Sequence, residues 1–518
     1  MDDLAQARVE LVRLEEKAQE LLDQLLEVRA AVSAQRTKIS NLVRQKPPPI
    51  HRLPTELLMS ILDLNINDPF LPCHRRRWEL AMVSPLWRDV ILDNPIFWTT
   101  IDLGTLSIPT IKMHLKRSGK SLLDIVMNVD VSLTSVYDTL CTRMRVVLPH
   151  VHRWRTLDVL KTTAAYYGSR GVRWTVEELI DATTDHCLEF PSLKCAVIPC
   201  AGSSAYPDFL SSAHLPSLEH LELEYCRAWE DFAPPSTLKS LKLIFERSAA
   251  SFQYPLFPRL IPTQTLSTLS LEGDICDWYL QPNSIQFPVL KTLILVVSRT
   301  NKLLQAIVAP NLEHFDYRFD YEGIGSGSLP PSVIFHGLGH KFTSVRRISF
   351  PDITMDHRSD HDPNALPLCE AFPNVRHVEC GPQDLTGFLM ACLDAKLTHT
   401  LYPIDFWKDL QSLTLRGRSD LWSDWYEGLN QLPGWLIQRQ RSDLPLLHIK
   451  LVQLGCSGSS VDVADYFWHL HNCLRDYCRL EFNFPMAIEI NLSTVANSLG
   501  VMRFPELPPP NLMQSSRR

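Results

Sequence analysis

The sequence has no apolar run approaching the roughly 18 residues that a membrane-spanning helix needs. Its first residues, MDDLAQARVELVRLEE, carry no basic stretch followed by an apolar core, so no secretory leader is expected there. A soluble chain without a membrane partner, cytoplasmic or nuclear, follows as the expectation. Nor is there an excess of positive charge. Lys and Arg number 51 against 58 Asp and Glu, a net charge of −7, and the basic footprint that drives sequence-independent nucleic-acid binding is missing. No nucleic-acid partner is therefore expected. Thirteen cysteines lie scattered without the dense spacing of a disulfide scaffold, which suits a reducing compartment where Cys serves as a small buried hydrophobe.

Catalytic signatures are missing too. The chain has no GxSxG elbow, no HExxH and no paired CxxC. RSGKS at 117–121 resembles the end of a phosphate loop, but its first glycine would fall on His114, so the backbone cradle is absent. EGIGSGS at 322–328 lacks the strand and helix that a phosphate-binding turn requires and reads as a plain loop. In HLHNCLRDYC, His469 and Cys473 share a helix face, with His471 and Cys478 nearby, yet no second pair completes a tetrahedral set. His357 and His361, among Asp356, Asp360 and Asp362, read as a solvated loop. The expectation is a non-enzyme with no catalytic residues, no cofactor and no metal.

What is there begins with heptads. Residues 1–46 contain no Pro or Gly, and two apolar rows run through them. One is Leu4, Leu11, Ala18, Leu25, Val32, Ile39; the other is Ala7, Leu14, Leu21, Val28, Gln35, Leu42, so eleven of twelve positions are apolar. That 3.5-residue period is the seam of a left-handed coiled coil about 65 Å long, a homo- or hetero-dimer or a helix docked on its own chain. Flanking charge does not choose a parallel pair: Asp3 would meet Arg8, but Glu10 would meet Glu15. Pro47, Pro48 and Pro49 then end the helix, because proline lacks the amide donor and clashes with the preceding turn.

Beyond residue 104 a pattern of apolar-x-x-apolar-x-apolar recurs: LKCAVI (193–198), LEHLEL (218–223), LKSLKL (238–243), LSTLSL (266–271), LKTLIL (290–295), LEHFDY (312–317), VRRISF (345–350), VRHVEC (375–380), LQSLTL (410–415) and LLHIKL (446–451). WRTLDV at 154 and LLDIVM at 122 are degenerate copies. In LEHLEL the alternation sends Leu221 and Leu223 to one face of a strand and Glu222 to the other. A single unit cannot bury that face, so the units must stack. The spacing fits leucine-rich repeats at first and then lengthens. Of the turn positions that usually carry Asn or Cys, Cys226 fits whereas Glu246, Asp274, Ser298 and Asp320 do not. An irregular arc is therefore expected.

Between coil and repeats, two helical blocks flank a polar loop at 65–77, where Arg75, Arg76 and Arg77 read as solvated. In the first, Leu57, Leu58, Ile61 and Leu62 are expected on one side. In the second, Ser84 caps a helix opened by Pro85, and Asn94-Pro95 closes it. Trp98, Ile101 and Leu103 of FWTTIDL match the repeat anchors, and Trp98 is expected at the seam with the repeats. This cluster holds more large apolar side chains than its size can bury, and such an excess marks a partner surface. Leu53-Pro54-x-Glu56-Leu57-Leu58-x-x-Ile61-Leu62, then Val83-Ser84-x-x-Trp87-Arg88, then Asn94-Pro95-x-Phe97-Trp98, resembles an F-box of the fungal F-box-like type, over about 50 residues.

The resemblance implies docking on a Skp-family adaptor that joins a cullin-based ubiquitin ligase, while the rest of the chain captures an unknown protein substrate. The family's contact positions fall on Leu53, Pro54, Ile61, Val83 and Trp87, with Glu56 at the edge. Substrate would meet the outward strand positions Glu222, Lys242, Ser270, Asp316, Ser349, Glu379 and Thr414, with Arg346, Arg347 and Arg376 beside them. The expected fold is α/β: coiled coil 1–46, proline linker 47–49, F-box-like helical domain 50–103, irregular leucine-rich-repeat solenoid 104–495 and proline-rich tail 496–518. The alternatives are a repeat scaffold with no ligase role and, more remotely, a hydrolase with scattered catalytic residues.

Overall fold

The computed structural model describes residues 2–45, 53–66, 73–129, 134–161, 180, 188–200, 206–226, 231–245, 260–273, 280–297, 300–318, 331–350, 365–381, 384–389, 402–418, 422–442, 444–454 and 470–483. Pro47 to Pro49, the 322–328 loop, His357, His361, His469, the turn positions Glu246, Asp274, Ser298 and Asp320, and the 496–518 tail lie outside these residues. The chain forms a mixed α/β structure of two compact units, one of residues 1–100 and 112–121, the other of residues 101–111 and 122–518. Among the described residues no helix is long and apolar enough to cross a membrane.

In the first unit, α1 (Asp2–Gln45) is an unbroken helix of 44 residues, as a stretch free of Pro and Gly allows. Every side chain described along it is exposed. The short helices α2 (Thr55–Ile66), α3 (Cys73–Ala81) and α4 (Pro85–Asp93) follow, and α5 (Ile108–Arg117) contributes its second half. Ser84 caps α4: its Oγ accepts the Trp87 amide at 3.2 Å, and Pro85 takes the first helical position. Asn94 closes α4 and opens a 3-10 turn, Pro95–Trp98, with its Oδ1 accepting the Ile96 amide at 3.1 Å.

Within the polar loop expected at 65–77, the described residues, 65–66 and 73–77, are helical. α2 runs on to Ile66 and α3 already starts at Cys73, because Ile66 and Arg77 are both drawn into the core, at 1% and 2% exposed.

The second unit is built on one parallel sheet of 14 strands in chain order: β1 (Thr100–Asp102), β2 (Leu123–Val129), β3 (Trp154–Lys161), β4 (Cys195–Pro199), β5 (His220–Cys226), β6 (Ser240–Phe245), β7 (Thr268–Glu272), β9 (Thr292–Val296), β11 (His314–Arg318), β12 (Arg347–Phe350), β13 (His377–Cys380), β14 (Ser412–Arg418), β15 (Leu447–Leu454) and β16 (Cys478–Asn483). β8 (Ile285–Gln286) and β10 (Ile307–Val308) form a separate parallel pair. All ten repeat motifs found in the sequence end in a strand of the large sheet. Their second anchors lie side by side in one ladder that runs Ile125, Leu157, Ala196, Leu221, Leu241, Leu269, Leu293, Phe315, Ile348, Val378, Leu413, Ile449, Leu480.

The backbone entering each strand repeats as regularly. The carbonyl just after the first anchor accepts two amides from the next motif, from Lys194, which takes Glu219 and His220, to Arg376, which takes Gln411 and Ser412. The unequal lengths of 20 to 36 residues between motifs are therefore absorbed in the connections, and the strands keep register.

First anchors are fully buried from Leu193 to Leu410. The tenth departs: Leu446 is 64% exposed and Leu447 is at 0%. Here Gln411 O takes only the His448 amide, and Leu447 joins β15 as its first residue, so the entry turns by one position. Where the motif spacing lengthens, aromatics fill the core. Phe372 stacks on Phe315 and Phe342 at 4.9 and 5.2 Å, and Phe335 meets Phe315 edge-on at 6.2 Å. The Tyr317 hydroxyl donates to Val297 O at 3.1 Å, so its one polar atom is satisfied inside the core.

Candidate interaction surfaces

The helical unit closes around Trp98, which is fully buried and donates its Nε1 proton to Ile91 O at 2.9 Å. Trp78 and His114 meet the indole edge-on, at 6.0 and 5.2 Å between centroids. The Arg77 and Arg117 guanidinium carbons each lie 4.9 Å from its centroid, close enough for cation–π attraction. Arg77 is thus a core residue, and the expectation that it is solvated fails. Its Nη1 sits 2.9 Å from His114 Nε2, while His114 Nδ1 sits 3.1 Å from Thr100 O. Arginine only donates and a carbonyl only accepts, so His114 is held as the Nδ1–H tautomer. Arg117 Nη1 also donates to Leu92 O at 2.9 Å. Each of these partners belongs to the helical unit, so Trp98 is the keystone of that unit itself. Sequence patterning alone could not reveal this, because the cations come from 21 residues before and 19 after it.

α2 does not keep its leucines on one side. Leu58, Leu62 and Ile66 are buried in the core with Ala81, Ile91, Phe97 and Trp98. Leu57, Ile61 and Leu64, at i, i+4 and i+7, stand 54%, 45% and 78% exposed. At 100° per residue the two stripes lie well apart around the helix. The turn from α3 to α4 exposes Met82 at 72% and Val83 at 61%.

Among the residues matched to the adaptor contacts, Pro54, Glu56, Ile61 and Val83 are exposed, while Leu53 and Trp87 are half-buried. Trp87 packs against the core, and its Nε1 finds no acceptor among the described residues. It serves the interior at least as much as the surface. Leu57, Leu64 and Met82 extend the exposed apolar set beyond those matched positions.

On the sheet, the outward positions share one register row: Asp158, Val197, Glu222, Lys242, Ser270, Ile294, Asp316, Ser349, Glu379, Thr414, Lys450, Glu481. The row is not uniformly open. Ser270, Asp316 and Ser349 are only 5 to 6% exposed.

Its charges largely answer each other. Lys242 Nζ binds Glu222 at 2.5 Å, Arg318 binds Asp316 at 3.0 Å, and Glu379 lies between Arg416 at 2.7 Å and Arg347 at 3.5 Å. Arg346 turns to the backbone instead, with Nη1 donating to Asn374 O at 3.0 Å and Thr343 O at 3.3 Å. Arg376 is exposed.

Of the row two residues earlier, where His314, Arg347, His377, Ser412, His448 and Arg479 stand side by side, sequence reading had named Arg347 alone. Burial and then the neighbouring Arg347 push both His314 and His377 below the ordinary histidine value. Near the other end, burial and then Glu222 raise Asp158 above the usual carboxylate range.

Among the described residues no group of three or more His, Cys, Asp or Glu side chains is placed to hold a metal ion. Cys473 is exposed, and Cys478 Sγ donates to Leu474 O at 3.5 Å, its thiol pushed up to about 11 by burial. No family model matches the chain, and no curated protein does. A solved structure that is similar to it, the crystal structure of a Bacteroides fragilis protein from a structural genomics consortium, shares 12% identity with a TM-score of 0.26, over 60% of this chain and 69% of that one. A likeness so distant has no bearing on function.

Proposed function

We propose that this chain is the substrate-recognition subunit of a Skp-cullin-F-box ubiquitin ligase, with an F-box-like helical unit for the adaptor and an irregular leucine-rich-repeat solenoid for a protein substrate. The observation that carries the reading is α2, which buries one apolar stripe and leaves Leu57, Ile61 and Leu64 in solvent. A helix apolar on two sides, within a unit small enough that one stripe fills its core, fits a lasting partner on the other. The order Leu53-Pro54, Val83-Ser84 and Asn94-Pro95 around that helix supports the F-box assignment. The anchor ladder and the doubled carbonyl bonds from Lys194 to Arg376 support the solenoid. The chain itself catalyses nothing. It raises the effective concentration of a substrate lysine beside a charged ubiquitin-conjugating enzyme.

The test is binding of the purified full chain to a purified Skp-family adaptor, followed by calorimetry. Ile61→Glu with Val83→Glu changes exposed positions only, so unfolding should shift by no more than about 0.5 kcal/mol while adaptor binding is lost. Trp87→Ala is the poorer probe, because it also opens the core. A wild-type chain that does not bind the adaptor, or a double variant that binds as tightly as wild type, overturns the ligase role and leaves a repeat scaffold.

A further inference from the structure

α1 carries a seam that none of the described residues of its own unit covers: its larger side chains stand between 47% exposed at Val32 and 64% at Leu4. Its charge is polarised along the axis. Residues 2–23 hold Asp2, Asp3, Glu10, Glu15, Glu16, Glu20 and Asp23 against Arg8, Arg13 and Lys17, whereas residues 24–45 hold Glu27 against Arg29, Arg36, Lys38 and Arg44. We infer that α1 pairs with α1 of a second copy of this chain, and that the two helices run antiparallel.

A parallel pair sets acidic half on acidic half and basic on basic, with Glu10 facing Glu15. An antiparallel pair sets each acidic half on a basic one. With Leu4 opposite the second copy's Leu42, Glu10 comes beside the second copy's Lys38 and Glu15 beside its Arg29, two opposite-charge contacts against one like-charge contact, Arg8 beside Arg36. These residues flank the seam in the heptad frame, where such charges set partner and orientation.

The seam's volumes agree with the charges. Parallel packing faces Ala7 and Ala18 with themselves, leaving two thin layers. Antiparallel packing puts Ala7 against Ile39 and Ala18 against Val28, small against branched in both cases, which is how facing layers fill without voids. The pair also carries Gln45 of each copy to opposite ends of a rod about 66 Å long. Two receptors joined in this way would engage a two-site partner with the gain of an intramolecular second step.

Sedimentation velocity of the full chain at micromolar concentration tests the inference, with far-UV circular dichroism to confirm that each variant keeps its helix content. The wild type should be a dimer. Glu10→Lys with Glu15→Lys sets basic on basic in the antiparallel pair and should weaken dimerisation by about tenfold or more. Adding Arg29→Glu and Lys38→Glu to the same chain reverses both contacts and should restore it. A parallel dimer would be indifferent to the first pair of changes, since like already faces like. A monomeric wild type, an assembly larger than a dimer, a half-exchanged variant as tight as wild type, or a full exchange that fails to recover each overturns the inference.

Discussion

At the scale of single residues, Trp98 shows how one side chain can organise a unit. Its ring is covered by two guanidinium groups and two aromatic edges, and its one polar atom is satisfied by Ile91 O. Trp98→Phe keeps most of the ring and loses the hydrogen bond, so it should cost about 1 kcal/mol. Trp98→Ala leaves a cavity beside the buried Arg77 and the half-buried Arg117 and should cost roughly 3–5 kcal/mol. Urea unfolding of the full chain, followed by near-ultraviolet circular dichroism, reads both. Equal losses for the two variants would mean that the hydrogen bond, and not the packed ring, holds the unit. That Trp98 would be buried was legible in the FWTTIDL anchor pattern. Its cationic cover was not, because Arg77 and Arg117 are distant in sequence and nothing local distinguishes them from Arg75 or Arg76.

At the scale of elements, a period was readable wherever burial imposes one. The strands of the large sheet from β4 to β15 arise from motifs in which two of three anchors alternate, and the alternation fixes which face turns inward. α2 was misread for the complementary reason. Composition shows that Leu57, Leu58, Ile61 and Leu62 are apolar, but only packing decides which two are covered. The tenth repeat gives the sharpest contrast, since its pattern nominates Leu446 as an anchor and the structure buries Leu447 instead. Leu447→Ala should therefore cost about 2–5 kcal/mol, and Leu446→Ala should stay within about 0.5 kcal/mol. Amide hydrogen exchange across residues 444–454, measured on both variants, separates them. Equal loss of protection would show that the sequence period places this entry better than the turned backbone does.

At the scale of the whole molecule, stacked strands that each touch only their neighbours have stability that is local and summed from strand to strand. Titration effects should then appear at the strands that hold the titrating group, and His314 in β11 offers such a case. Its ring is half-buried, its Nε2 has no acceptor among the described residues, and Arg347 stands next to it in the same row. Burial and then Arg347 lower its proton affinity, outweighing the pull of Asp316 and Glu379. The folded protein thus binds this proton less readily than the unfolded chain, whose histidine titrates near 6.5. Stability is fully present above the unfolded value and is lost as pH falls below it towards the folded one. Hydrogen exchange at residues 312–318 and 345–350, corrected for intrinsic rates, should show weaker protection at pH 5.5 than at pH 7.5. In His314→Asn the difference should largely vanish, while exchange in the distant strand β4 keeps its wild-type pH response. If the variant loses protection on acidification as steeply as wild type, the proton that destabilises these strands binds elsewhere in the row.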